Sequence, residues 1–122
     1  PAKHLARMND PALCASDRAL FADDPAVYGM LLAAITEAFC RNSTPYSEDM
    51  IILARTWGFR LGDIMRPVYL WHGEQDVLIP PAMGRRLAQS LPACSAHFFP
   101  GEGHALLLSH WTEILAFLAS HR

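Results

Sequence analysis

No run of about 20 apolar residues occurs in this 122-residue sequence, so no segment matches the length of a membrane-spanning helix. The N-terminal stretch also lacks the apolar core of a signal peptide, because charged residues recur through Asp17. Cysteine is scarce. Cys14, Cys40 and Cys94 are an odd number without C-x-x-C spacing, which argues against a disulfide framework and against a zinc site. Basic residues are few and scattered, ten Lys and Arg against twelve Asp and Glu for a net charge of −2. With Arg85-Arg86 their only adjacent pair, they form no stripe that could neutralise successive phosphates. These absences imply a cytoplasmic protein with neither nucleic acid nor membrane as partner. No internal repeat or low-complexity tract is present.

What the sequence does contain is apolar material: 52% hydrophobic residues against 18% charged, far from the composition of a disordered chain. The first 20 or so residues show no period and read as an irregular arm with at most one helical turn. Asp24-Pro25 is a firmer signal, since Asp accepts backbone N–H bonds at an N-cap and Pro is pre-set for the first helical position. A helix is expected from about Pro25 to Cys40, where Val27, Leu31, Ile35 and Phe39 recur every four residues, and residues 41–44 end it. Pro45 opens a second helix to about Thr56, with Gly58 as its stop.

Residues 57–122 change character. Pro67-Val68-Tyr69-Leu70-Trp71-His72 is a short β-branched and aromatic run bounded by Pro and Gly73, the pattern of a strand buried on both faces. Met83, Leu87 and Leu91 mark a helix over 81–91, Pro92 stops it, and residues 96–99 form a second short strand. Leu107, Trp111, Ile114, Leu115 and Leu118 describe a final amphipathic helix over 105–120. The order strand, helix, strand, helix with short loops implies a parallel pair. Two parallel strands are a poor independent unit. The expectation is therefore one partial α/β domain, mainly helical over 1–56 and a β-α-β-α unit over 57–122, completed by residues outside this chain.

Parallel strands bring both of their C-terminal ends to one sheet edge, where open α/β sheets hold their ligands. At that edge His72-Gly73-Glu74-Gln75-Asp76 offers a carboxylate and Gly101-Glu102-Gly103-His104 an imidazole. Asp76 and His104 are thus the candidate catalytic residues. The carboxylate would accept the Nδ1–H of the imidazole and stabilise the imidazolium formed when its other nitrogen takes a proton. The glycines flanking Glu102 allow the loop to turn His104 over the edge.

The stretch P-V-Y-L-W-H-G-E-Q-D-V-L-I-P, a helix ending L-A-Q-S-L-P, and F-F-P-G-E-G-H together resemble the seventh and eighth strands of the α/β-hydrolase family. The likeness covers Trp57 to Arg122. Residues 57–64 resemble the approach to the seventh strand, and residues 17–56 are similar in type to the family's helical cap. The resemblance implies that this is the C-terminal part of a serine-type hydrolase, with Asp76 as triad acid and His104 as triad base. It also implies a small-molecule substrate carrying an ester-like or related bond, and no cofactor. The family's nucleophile sits in an upstream G-x-S-x-G turn, and neither Ser16, Ser43, Ser47 nor any cysteine stands in such a setting. Alone, the chain is expected to be inactive or nearly so.

Other residues receive plainer readings. Glu74 and Glu102 are expected to be solvated loop residues, Arg85 and Arg86 a solvated helix face, and the cysteines inert small side chains. His72 reads as a strand-end residue, while His97, His110 and His121 lack metal-ligand spacing, so no metal is assigned. Trp57, Trp71 and Trp111 are expected in core or cap packing. An open edge on the first strand predicts a homodimer, or association with the absent N-terminal half. Two other functions stay open: a non-catalytic binding or assembly module derived from the fold, and an active site completed in trans by a separate chain.

Overall fold

The structure is a computed structural model that describes residues 13–40, 42 and 44–121. The sequence-predicted arm lies mostly outside the described residues. Its last part is helical rather than irregular: helix α1 spans Ala15–Asp23. Helix α2, Pro25–Ala38, follows after one residue, and its predicted cap is formed by the Asp24 carboxylate, which accepts from the backbone N–H of Ala26 and Val27 at 3.0 and 3.1 Å. Helix α3 spans Thr44–Ala54. It stops before Trp57 rather than at Gly58, although Gly58 does adopt a left-handed φ of 75°. Of the segment expected to end α2, residues 41 and 43 lie outside the described residues.

A 3-10 turn at Leu61–Asp63 leads into strand β1, Val68–Gly73. Helix α4, Pro81–Ser90, and strand β2, Cys94–Phe99, come next. β2 starts two residues earlier than its apolar run indicates, because pairing with β1 recruits Cys94 and Ser95. The strands are parallel with Val68 opposite Cys94 and Gly73 opposite Phe99. Together they form a two-stranded sheet. The expected final helix is two: α5, Leu106–Ser109, and α6, Trp111–Ser120, separated at His110. The apolar pattern runs through both pieces, so the sequence periodicity does not register the break.

Alternation along the strands gives each face its own cover. On one face Tyr69, Trp71 and His97 meet Phe117 of α6, with Tyr69 and Trp71 edge-on to its ring at 4.9 and 5.3 Å. On the other face His72 and Phe98 adjoin each other, and the Arg85 guanidinium of α4 lies 4.2 Å over the Phe98 ring. The buried apolar residues are few among those described: Leu13, Cys14, Leu91, Ala105, Leu106 and Ile114. Four of these six flank the approaches to α1 and α5, so the tightest part of the core lies beneath the His104 loop.

Elsewhere large apolar side chains face outward. Met50, Ile51, Ile52 and Leu53 on α3 are exposed, as are Trp57 and Trp111, contrary to the expectation of core packing. A two-stranded sheet offers no further layer to cover them. The α2 stripe of Val27, Leu31, Ile35 and Phe39 does face inward, but only to half-burial. Among the described residues no single helix is long and apolar enough to cross a membrane. α1 and α2 pass that test only as a pair bent by 96°.

Candidate active site

The parallel register ends both strands at one rim, and backbone hydrogen bonds tie the two following loops together. Glu74 N–H donates to the Phe99 carbonyl at 3.0 Å and Gln75 N–H to the Glu102 carbonyl at 2.8 Å. The approach is close enough that a Cβ on Gly73 would collide with the carbonyls of Glu102 and Gly103. A side chain at that position would force the loops apart.

Asp76 and His104, 28 residues apart in sequence, meet at this rim with His104 Nδ1 2.9 Å from Asp76 Oδ2. The other oxygen of Asp76 accepts from the backbone N–H of Leu78 and of Ile79, both at 2.8 Å. Burial works against the carboxylate's charge, but the Ile79 N–H, then the His104 hydrogen bond, then the Leu78 N–H outweigh it and hold its pKa below the ordinary 3.8. An ionised carboxylate only accepts, so the proton on the shared bond belongs to His104 Nδ1. That leaves Nε2 with its lone pair. The imidazole is half exposed, with 49% of its side chain accessible, and its Nε2 has no hydrogen-bond partner among the described residues. The contact fixes the ring's orientation and leaves its Nε2 edge open.

His72 supports the rim from behind. Its Nε2 donates to the Ile79 carbonyl at 2.9 Å and stands 3.9 Å from Asp76 Oδ2. The strand-end reading of His72 thus gains a task, closing the turn from Asp76 to Ile79.

The loop glutamates differ from expectation, because both have partners. Glu74 pairs with Arg85 at 2.5 Å, so Arg85 is not simply a solvated face. Glu102 stands 3.5 Å from His110 Nε2, while His110 Nδ1 bonds Glu113 at 2.8 Å. The hydrogen bond to Glu113 raises the pKa of His110 above its ordinary 6.5; burial opposes the rise and Glu102 adds to it. Among the described residues no group of three His, Cys, Asp or Glu side chains is placed to hold a metal ion.

The residue that sequence reasoning missed is Asp17. It is 2% exposed, the most deeply buried side chain described. Its two carboxylate oxygens accept from the backbone N–H of His104 and of Ala105, each at 2.9 Å. Nothing local in the sequence marks it, since its partners are 87 and 88 residues away.

Two open cavities adjoin His104. One of about 480 Å³ runs along β1 past Asp76. The other, of about 430 Å³, is apolar, with Phe21, Leu31 and Ile35 from α1 and α2 on one side and Leu78 and Leu108 on the other.

The sequence is similar to esterases. Over 60 residues, 49% of this chain, it is 40% identical to a pimeloyl-(acyl-carrier protein) methyl ester esterase of Chromobacterium violaceum. Over 60 residues it is 43% identical to a protein of the same name from Aromatoleum aromaticum. The matched residues make up 24% of each of these proteins, so the chain spans about a quarter of the curated relatives' length. No family model matches the chain, and no solved structure does. The mixed architecture of helices around a small parallel sheet is compatible with part of an α/β fold.

Proposed function

We propose that this chain is the C-terminal part of an α/β-hydrolase that cleaves an ester or a related bond, and that Asp76 and His104 are the acid and base of its Ser-His-Asp triad. The observation that carries the reading is the 2.9 Å contact between His104 Nδ1 and the ionised, backbone-held Asp76 at the shared end of two parallel strands. The likeness to esterases supports it.

In this reading a serine supplied by the rest of the protein lies against His104 Nε2. The imidazole takes the serine proton as oxygen attacks the carbonyl carbon and returns it to the departing alcohol; it then takes a proton from the water that attacks the acyl-serine and returns that proton to the serine oxygen as the acid is released. Asp76 holds the ring in the Nδ1–H tautomer and offsets its transient positive charge. Residues 57–122 belong to the hydrolase core and residues 1–56 to a cap-like part. The substrate is a small molecule, and the apolar cavity between α1, α2 and His104 suits its carbon chain. Without nucleophile and oxyanion donors the chain turns nothing over, since each such donor is worth roughly 10²- to 10³-fold. An exposed thiol, Cys40, fits the reducing cytoplasm.

The test is a panel of esters of increasing acyl length given to the complete protein and to its Asp76→Asn variant. Hydrolysis by the former and its near-abolition in the latter are expected; equal rates in the two contradict the assignment.

A second reading is favoured by the exposed Met50-Ile51-Ile52-Leu53 run of α3 and the unpaired edge of β1: a non-catalytic assembly module in which two copies cover these faces. Light scattering tests it: a stable monomer at micromolar concentration excludes the module.

A further inference from the structure

The His104 loop is held from two directions, by Asp76 at the ring and by Asp17 at the backbone, and only the first is explained by proton transfer. Asp17 enters from α1, an element that belongs to neither strand of the sheet. Its carboxylate spans the N–H groups of His104 and Ala105, one oxygen to each, at 2.9 Å. Those two amides precede α5 and have no carbonyl of their own to meet. The carboxylate is almost completely buried, and no space is left around it: a Cβ on Gly103 would run into Asp17 Oδ2 and Cys14 Sγ.

We propose that Asp17 is a positioning residue, a buried clamp that fixes the backbone at His104 so that the imidazole meets Asp76 and keeps its Nε2 facing the open side of the rim. The physical case rests on donor count and burial. Two N–H groups, from adjacent residues of one turn, converge on a single buried carboxyl group, one on each oxygen. An exposed imidazole on a glycine-flanked loop has little else to define its direction, because neighbours do not pack its ring on all sides. Pinning the two amides removes the backbone freedom that would otherwise swing Nδ1 away from Asp76 Oδ2. α1 thereby becomes part of the site although it contributes no reacting atom. The inference rests on reading His104 as the proton-transfer group, and it concerns how that group is aimed.

The experiment is nuclear magnetic resonance on the complete protein and its Asp17→Asn variant, which keeps the shape but presents one acceptor where there were two. In the wild type a low-field Nδ1–H proton of His104 and slow exchange of the His104 and Ala105 amides are expected. In D17N the low-field proton is expected to vanish and these two amides to exchange at least about tenfold faster, while amides of the paired strands keep their protection. An unchanged Nδ1–H signal and unchanged exchange in folded D17N would overturn the inference. They would leave the hydrolase reading intact, since ester turnover is not the readout. Should D17N fail to fold, titration of the wild type decides. Amide protons of His104 and Ala105 that shift in step with the Asp17 carboxyl carbon support the clamp, and amide protons that ignore it overturn the clamp.

Discussion

The rim at the strand ends and helix α3 are opposite solutions to the same chain's problem. At the rim several polar groups are held by named partners, Asp76 by three donors, His72 by a carbonyl and, from α1, Asp17 by two donors, while one buried oxygen of Glu102 has no partner among the described residues. Along α3 no residue is buried, and four successive apolar side chains point outward. Buried polar contacts are therefore concentrated at the rim, beside Leu13, Cys14, Ala105 and Leu106 of the core, while the apolar area of α3, the usual driving force, is left uncovered. The difference teaches that the geometry of the rim comes from polar contacts internal to this chain, whereas the apolar side chains of α3 are exposed among the described residues.

The largest expected effect is at the rim. In the complete protein, His104→Ala should lower kcat for ester hydrolysis by about 10⁴- to 10⁶-fold with KM little changed, as for removal of a triad member, and steady-state kinetics check it. Next is Gly103→Ala, which forces a methyl group into the space of Asp17 and Cys14. A loss of roughly 1–3 kcal/mol is expected from overpacking, measured by denaturant unfolding. Smaller still is the effect in α3: Ile51→Ser with Leu53→Ser should change the stability of this chain by no more than about 0.5 kcal/mol, as exposed positions do. The same pair should cost more once a partner surface covers the helix. A large loss in this chain alone would erase the contrast between rim and helix.

The smallest effect is electrostatic, and its sign differs between two groups. Asp76 is held below its ordinary 3.8, so the stability it contributes is present above that pH and disappears as pH falls through its lower folded value. His110 is raised above 6.5 by Glu113 and Glu102, so its contribution is complete below 6.5 and is lost as pH rises through the raised value. Thermal unfolding of His110→Gln beside the wild type across that second window should show the pH dependence flatten on the alkaline side.

Much of the rim is legible in the sequence. Gly73, Gly101 and Gly103 punctuate two apolar runs, and a carboxylate and an imidazole follow them at short spacing, so parallel pairing alone brings Asp76 to His104. The Asp24-Pro25 cap was legible for a similar reason, since its partners lie two and three residues on. Asp17 was not, because a hydrogen bond across 87 residues leaves no periodic trace. The split at His110 escaped because apolar spacing continues through both α5 and α6. Trp57 and Trp111 were misplaced for a different cause: aromatic type predicts burial only where another element packs over the ring, and among the described residues none buries these two.

The imidazole proton reports most directly on the account. A low-field Nδ1–H resonance assigned to His104, present in the wild-type protein near neutral pH and absent from Asp76→Asn, is the predicted result. A His104 ring that shows no such proton, or one whose signal is indifferent to the Asp76 substitution, contradicts the pairing on which the hydrolase reading stands.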